Sequence, residues 1–435
     1  MHVDDLYELY LKNPVVSTDS RYIKKGSMFF ALKGKNFDGN AFASSALEKG
    51  AAYAIIDNKD YFIDNGRIIL VDDVLTTLQK LANYHRSKFN FPVMAITGTN
   101  GKTTTKELVY RVLSQKYKTV ATKGNFNNQI GLPLTLLSVD KENTEFCIVE
   151  MGANHITDIL ELCKIADPDY GLITCVGIAH LEGFKTFENI VKAKTELYKW
   201  VQNKDGINFV NADDEILLEY ASKGKVITYG SNSNKKHYYY CYGKPSKGKI
   251  NVSFTWTLQN EHHKIDSELY GEYNFLNMLA AVCVGAYFHV PPNKINEALI
   301  SYKPDNNRSE IRKTEKNTYI CDAYNANPSS MLNALDTFDK LDAKDKIVVL
   351  GDMFELGDSS LDEHKKIVER LKNMNLYKVI LIGRYFAEAA KDTNFTIYKS
   401  IGDASKDLNL ENFDNVVFLI KGSRGMALER ILEVI

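Results

Sequence analysis

Apolar and polar positions are arranged in three different ways along this chain. Up to about residue 84, short apolar runs at Met28–Leu32, Ala52–Ile56 and Ile68–Val71 predict strands, and Asn40–Lys49 predicts a helix. From about 85 to 303, apolar runs at Val93–Thr97, Phe146–Glu150, Tyr170–Thr174 and Ile207–Val210 alternate with amphipathic stretches at Lys102–Lys116, Ile156–Ile165 and Phe187–Trp200. Such alternation predicts a mostly parallel sheet, because parallel neighbours need a crossover between them. Between about 225 and 270 the pattern changes to alternating, aromatic, hairpin-like strands, and Asn274–His289 then reads as a buried helix. From 304 to 435 the α/β alternation resumes, with strands predicted at Thr318–Asp322, Lys346–Leu350, Lys378–Ile382 and Val416–Ile420. The expectation is an α/β protein of three parts, 1–84, 85–303 and 304–435.

Composition narrows the class without changing that picture. A chain of 435 residues exceeds what one core ordinarily organises. Its 44% hydrophobic and 25% charged residues are those of an ordinary globular protein, and a net charge of −1 provides no overall field for nucleic acid or an acidic membrane. The six cysteines form no C-x-x-C pair, which argues against metal and redox frameworks and suits a reducing cytosol. The acidic start Met1-His2-Val3-Asp4-Asp5 lacks the basic stretch of a secretory signal, and the longest apolar stretch, Ala280 to Val290, is too short to span a bilayer. A cytoplasmic protein with no membrane insertion is expected.

The strongest chemical signal follows the run Val93–Thr97. Gly98-Thr99-Asn100-Gly101-Lys102-Thr103-Thr104 places a glycine turn between a predicted strand and a predicted helix. Backbone N–H groups and a helix N-terminus then face an anion. Lys102 supplies a cation for the β/γ-phosphates and Thr103 a hydroxyl for Mg²⁺, so the loop is read as an ATP cradle. The common G-x-x-x-x-G-K-[ST] pattern wants glycine where Ile96 stands, so this loop is a compact version.

Further polar groups follow predicted strands, where an open α/β sheet gathers its ligands. Glu150 ends the strand Phe146–Glu150, either facing solvent or reaching the Mg²⁺ of a bound nucleotide. His180 and Glu182 follow Tyr170–Thr174, as structural groups or as metal and proton handlers. Lys192, Lys194 and Glu196 read as solvated charges on an amphipathic helix. Asn274 and Asn277 stand one turn apart and either cap their helix or contact a nucleotide. Asn327 before Pro328 reads as a helix cap, which leaves Asp322, Tyr324 and Asn325 to be explained by substrate contact. Gly351–Gly357 and Lys421–Arg424 follow strands and are expected at the same edge. The glycine-rich stretch from Lys24 to Gly39 is either a plain turn or a seat for a phosphorylated group.

Taken in order, Thr97–Thr104, Glu150-Met151-Gly152-Ala153-Asn154-His155, Ala179-His180-Leu181-Glu182, Ala193-Lys194 and Tyr324-Asn325-Ala326-Asn327-Pro328-Ser329 resemble the Mur ligase family over nearly the whole chain. Three runs, Glu150–His155, Asp322–Ser329 and Gly351–Gly357, are similar to the member that joins D-alanyl-D-alanine to a UDP-N-acetylmuramoyl tripeptide. The resemblance implies an ATP-dependent amide ligase working through an acyl phosphate, with folylpolyglutamate synthetase as the alternative sharing the same engine. It implies catalytic roles for Lys102, Glu150, His180 and Lys194, and two Mg²⁺ held by Thr103, Glu150, His180 and Lys194, the last as a carbamate. It implies ATP contacts from Gly98 to Thr104 and from Asn274, Asn277 and Arg308. The sugar nucleotide is expected at Ser27, Lys33, Asp38, Gly39, Asn125, Asn127 and Asn128, and the dipeptide and phosphate near Asp322, Asn325, Asn327 and Ser330. A small N-terminal α/β domain, a central P-loop domain and a Rossmann-like C-terminal domain are implied, in a monomer. Asn40 and Tyr273 stand where relatives often carry histidine.

Overall fold

The apolar strands and the helices between them resolve into three main sheets. The computed structural model describes residues 2–231, 239–246, 249–304, 307–408 and 410–434; parts of the expected aromatic hairpin region, 232–238 and 247–248, lie outside the described residues.

The first sheet is parallel throughout, in the order Val16–Ser17, Met28–Phe30, Tyr53–Ile56, Ile68–Leu70. Its alternation sorts the core. Phe29 joins Ala43, Ala46 and Ile56 on one face, while Met28 and Phe30 join Leu6, Tyr10, Leu78 and Leu81 on the other. Two helices here, Val3–Lys12 and Val74–Arg86, were not expected from the sequence pattern. The second carries its own signal: Asp73 accepts from Thr76 N at 2.7 Å as an N-cap, and Val74, Leu78, Leu81 and Ala82 recur on one buried face. The expected helix Asn40–Lys49 shortens to Ala43–Glu48 after a 3₁₀ turn at Gly39–Phe42. Asn40 is buried and committed elsewhere. Its Oδ1 accepts from Asp57 N (2.9 Å) and Asn58 N (3.2 Å), and its Nδ2 donates to Asp38 (2.6 Å) and Asp57 (3.0 Å).

The central sheet has nine strands, in the order Glu261–Tyr270, Asn251–Leu258, Cys241–Pro245, Lys225–Gly230, Ile207–Asn211, Tyr170–Ile173, Val93–Thr97, Phe146–Glu150, Thr119–Ala121. The first two are antiparallel to their neighbours and the rest run parallel. Val93–Thr97 lies in its interior and is buried along its whole length. Met94 and Ile96 pack toward the helices Lys102–Leu113 and Phe275–Tyr287, while Val93 and Ala95 face the side covered by Asp158–Ala166 and Phe187–Asn203. Ile96 is thus a core strand residue, which is why the glycine of the longer loop pattern has no place there.

The third sheet has six strands, in the order Glu310–Lys313, Thr318–Asp322, Val416–Lys421, Asp345–Gly351, Lys378–Ile382, Thr396–Tyr398, with only the first edge antiparallel. The carboxyl ends of its strands Thr318–Asp322 and Val416–Lys421 face the carboxyl ends of the central strands across one cavity. All six cysteines are free and only Cys175 is not buried. Among the described residues no helix is long and apolar enough to cross a membrane.

Asn40→Ala removes four polar contacts and leaves the Asp57 and Asn58 amides without their acceptor. The expected cost is roughly 2–4 kcal/mol to the first sheet, seen as faster amide exchange at Met28–Phe30 and Tyr53–Ile56 with unchanged ATP affinity. Unchanged exchange would refute this scaffold role.

Candidate active site

The strand Val93–Thr97 delivers its chain into a loop whose two glycines are sterically required. Gly98 (φ 145°) and Gly101 (φ 77°) take left-handed conformations; a Cβ on the first would lie 2.0 Å from Thr174 Oγ1, and on the second 2.7 Å from Asn277 Oδ1. The helix Lys102–Leu113 then starts with its N–H groups toward a cavity of about 1050 Å³. Lys102 folds back on this loop, donating to Gly98 O (2.8 Å) and Thr99 O (3.0 Å). Burial lowers the Lys102 ammonium from its usual range, Glu150 opposes this, and Arg308 adds to it.

Glu150 stands at the neighbouring strand end and is buried. Its Oε1 accepts from Thr103 Oγ1 (3.1 Å) and Asn127 Nδ2 (2.8 Å), while its Oε2 is buried without a partner. A bare carboxylate oxygen beside a hydroxyl and a phosphate loop is the donor set that a hard divalent cation takes. His180 (φ 50°) pairs through Nδ1 with Glu355 Oε2 at 2.5 Å. Lys194 is buried on the helix Phe187–Asn203, makes no hydrogen bond or ion pair among the described residues, and lies 5.6 Å from the Phe184 ring. It is not a solvated charge. Burial, reinforced by the Lys102 cation, brings its ammonium down to about 7. Among the described residues no three His, Cys, Asp or Glu side chains converge on one point, so a cation here would be completed by other ligands.

The two facing sheets are joined by polar contacts. Asn100 Nδ2 donates to Ser329 Oγ (2.8 Å), Ser329 Oγ donates to Asn327 Oδ1 (3.0 Å), and Asn327 Nδ2 donates back to Asn100 Oδ1 (2.8 Å). Asn327 also caps the helix Pro328–Asp339 in a capping box with Ser330. A second line runs from Thr105 Oγ1 to Asn277 Oδ1 (3.1 Å), from Asn277 Nδ2 to Asn274 Oδ1 (2.9 Å), and from Asn274 Nδ2 to Ser309 Oγ (3.0 Å). Asn274 makes no side-chain cap bond, so capping does not account for it. Beyond it, Ser309 N donates to Asp322 Oδ1 (3.1 Å), and Lys421 Nζ donates to Asp322 Oδ2 (2.6 Å) and Asn325 O (3.3 Å). Tyr324 carries the Arg308 guanidinium 3.6 Å from its ring centroid and accepts from Arg424 Nη1 at 3.0 Å.

The cavity therefore gathers Thr99 to Thr104, Glu150, His180, Asn274, Asn277, Arg308, Asp322, Asn325, Asn327 and Ser330. Asn125, Asn127 and Asn128 also line it, although Asn128 Oδ1 is engaged by Ile130 N and Gly131 N. Gly98 and Lys194 are outside the lining. Ser27, Lys33, Asp38 and Gly39 are not brought to the cavity: Ser27 is buried, Lys33 pairs with Asp57 at 2.8 Å, and Asp38 accepts from Asn40 N next to Gly39. Sequence reasoning gave no role to Thr174, Cys175, Tyr273, Ser309, Asn333 or Glu355, which also line it. Tyr273 and Ser309 each adjoin a residue already singled out, and Glu355 lies within the Gly351–Gly357 run.

Comparison with known proteins reads the same way. The description "Mur ligase family, catalytic domain" matches residues 14–86, "Mur ligase middle domain" 96–285 and "Mur ligase, glutamate ligase domain" 307–424. A Bacillus subtilis UDP-N-acetylmuramoyl-tripeptide–D-alanyl-D-alanine ligase is 35% identical over 431 residues, covering 96% of this chain and 92% of the relative. The chain belongs to the Mur ligase family. This Mur ligase also superimposes on the Thermotoga maritima MurF ligase in complex with ADP, with TM-score 0.84 and 29% identity over 98% of this chain and 97% of that one. A Mycobacterium tuberculosis folylpolyglutamate synthase shares only the fold, at 14% identity and TM-score 0.64 over 83% of this chain and 94% of the other. Like its family, this Mur ligase is an ATP-dependent ligase.

Lys194 generates a pH prediction for this Mur ligase. An unfolded lysine is charged up to its usual 10.5, whereas the folded one loses its proton near 7. Its burial penalty is therefore full below about 7 and shrinks as pH rises toward 10.5. In bicarbonate-free buffer, Lys194→Met should exceed the parent in stability by most at pH 6.5 and by least near pH 10, in paired denaturation curves. A margin independent of pH would refute the buried-amine assignment.

Proposed function

We propose that this Mur ligase joins D-alanyl-D-alanine to UDP-N-acetylmuramoyl-tripeptide, giving UDP-N-acetylmuramoyl-pentapeptide, ADP and phosphate. The observation that carries this reading is the single cavity in which the phosphate loop Gly98–Thr104 faces the polar strand ends Asp322–Asn327 and Lys421–Arg424. An acyl phosphate formed on one wall is then within reach of an amine held on the other. The names of the full-length relatives support the substrates.

The chemistry follows from what the residues offer. A carboxylate is a poor electrophile, so one of its oxygens attacks the γ-phosphorus of ATP and ADP departs. The dipeptide amine attacks the acyl carbon, loses a proton, and the tetrahedral adduct expels phosphate. Loop N–H groups and Lys102 hold the phosphates, and Arg308 faces the same charge. Glu150 Oε2 and the Thr103 hydroxyl would hold one Mg²⁺, with His180 near a second; such ions neutralise charge building on the phosphoryl oxygens. Lys194 is a buried amine whose ammonium is brought down to about 7 by burial, and it has no hydrogen-bond or ion-pair partner among the described residues. It suits attack on carbon dioxide to form a carbamate, which exchanges a cation for an anionic oxygen donor.

We assign the three segments 1–84, 85–303 and 304–435 to sugar-nucleotide, ATP and dipeptide binding. The residues Ser27, Lys33, Asp38 and Gly39 would serve the first of these away from the main cavity. A monomer acting on soluble small molecules in the cytoplasm completes the reading.

Phosphate release should require ATP, UDP-N-acetylmuramoyl-tripeptide and D-alanyl-D-alanine together, with the pentapeptide mass as product. Release with either acceptor omitted would overturn the proposal. Glu150→Gln should lower turnover roughly a hundredfold or more, measured in the same assay. With [¹³C]bicarbonate, a carbamate carbon signal should be present in the parent and absent in Lys194→Arg.

A further inference from the structure

Three cations stand on the cavity wall formed by the third sheet and its approach: Arg308, Lys421 and Arg424. They are not equivalent. Lys421 is buried and neutralised by Asp322 at 2.6 Å. Arg308 lies near enough to Lys102 for its charge to be felt at the phosphate loop. Arg424 is exposed to the cavity, makes no ion pair among the described residues, and is aimed by Tyr324, which accepts from its Nη1 at 3.0 Å and lies with its ring centroid 5.1 Å from the guanidinium carbon. Its remaining N–H groups are left to a ligand.

The incoming dipeptide carries opposite charges at its two ends. Its amine must approach the acyl carbon beside the phosphates, so its carboxylate must lie away from them, at most about 7 Å along an extended two-residue chain. A carboxylate near the phosphates would be repelled, and the planar guanidinium fork matches a carboxylate in two parallel hydrogen bonds. We propose that Arg424, oriented by Tyr324, receives the terminal carboxylate of the dipeptide and so selects the free acid over uncharged analogues. This rests on the ligase reading above and assigns a residue that the sequence left without a role.

The test compares D-alanyl-D-alanine with its C-terminal carboxamide as acceptors, in the parent and in Arg424→Met, with ATP and the UDP-linked tripeptide saturating. The parent should prefer the acid by roughly ten- to a hundredfold in kcat/KM, the range of a charge-assisted pair. In Arg424→Met the preference should collapse to within about threefold through loss of activity on the acid alone, with the KM for ATP unchanged. A full preference retained in Arg424→Met, or none in the parent, overturns the assignment while leaving the ligase reading intact. No turnover of either acceptor by the parent overturns both.

Discussion

Asn100 sits at the tip of the phosphate loop, and its one amide both donates and accepts. That pairing closes a triangle with Ser329 and Asn327, while the Asn100 carbonyl oxygen accepts from Thr174 Oγ1 at 2.5 Å. Each neutral hydrogen bond contributes only about 1 kcal/mol net, but donors and acceptors arranged head to tail reinforce one another. The consequence is geometric more than energetic. The phosphate loop and the helix cap of the third sheet meet at this point, and the two walls of the cavity stand opposite each other across it.

Charge within that cavity is distributed with the same economy. Groups that could quench one another are already paired: His180 with Glu355, Lys421 with Asp322. Other groups at or behind the cavity wall keep polar atoms open among the described residues. Glu150 keeps a bare oxygen, Lys194 an unpaired buried amine, and Arg424 a free guanidinium edge. Burial makes each electrostatic contact stronger than in water and makes an unpaired polar atom costly. Those costs are offset by the packed sheets on either side.

The first sheet stands apart from this arrangement. Asn40 ties the turn after Asp38 to Asp57 and Asn58, and the polar residues between Ser27 and Gly39 are absorbed into local structure away from the cavity.

Local pattern by itself determined the strands Val93–Thr97, Phe146–Glu150, Thr318–Asp322 and Lys378–Ile382, the α/β class, and the phosphate loop, because continuous apolar runs and the glycine, lysine and threonine requirements are written in adjacent residues. It passed over Val3–Lys12 and Val74–Arg86, although the second shows a cap and a buried face, and it read Asn40–Lys49 as one helix where a 3₁₀ turn at Gly39–Phe42 leads into Ala43–Glu48. Lys194 read as a solvated charge until packing on the helix Phe187–Asn203 enclosed it. The links from Asn100 to Asn327 and Ser329 join residues 227 and 229 positions apart, and the pairing of Lys421 with Asp322 spans 99. Contacts at such separations leave no periodic mark in the chain. They exist only because two mostly parallel sheets turn their carboxyl edges toward each other, and that choice belongs to the tertiary structure.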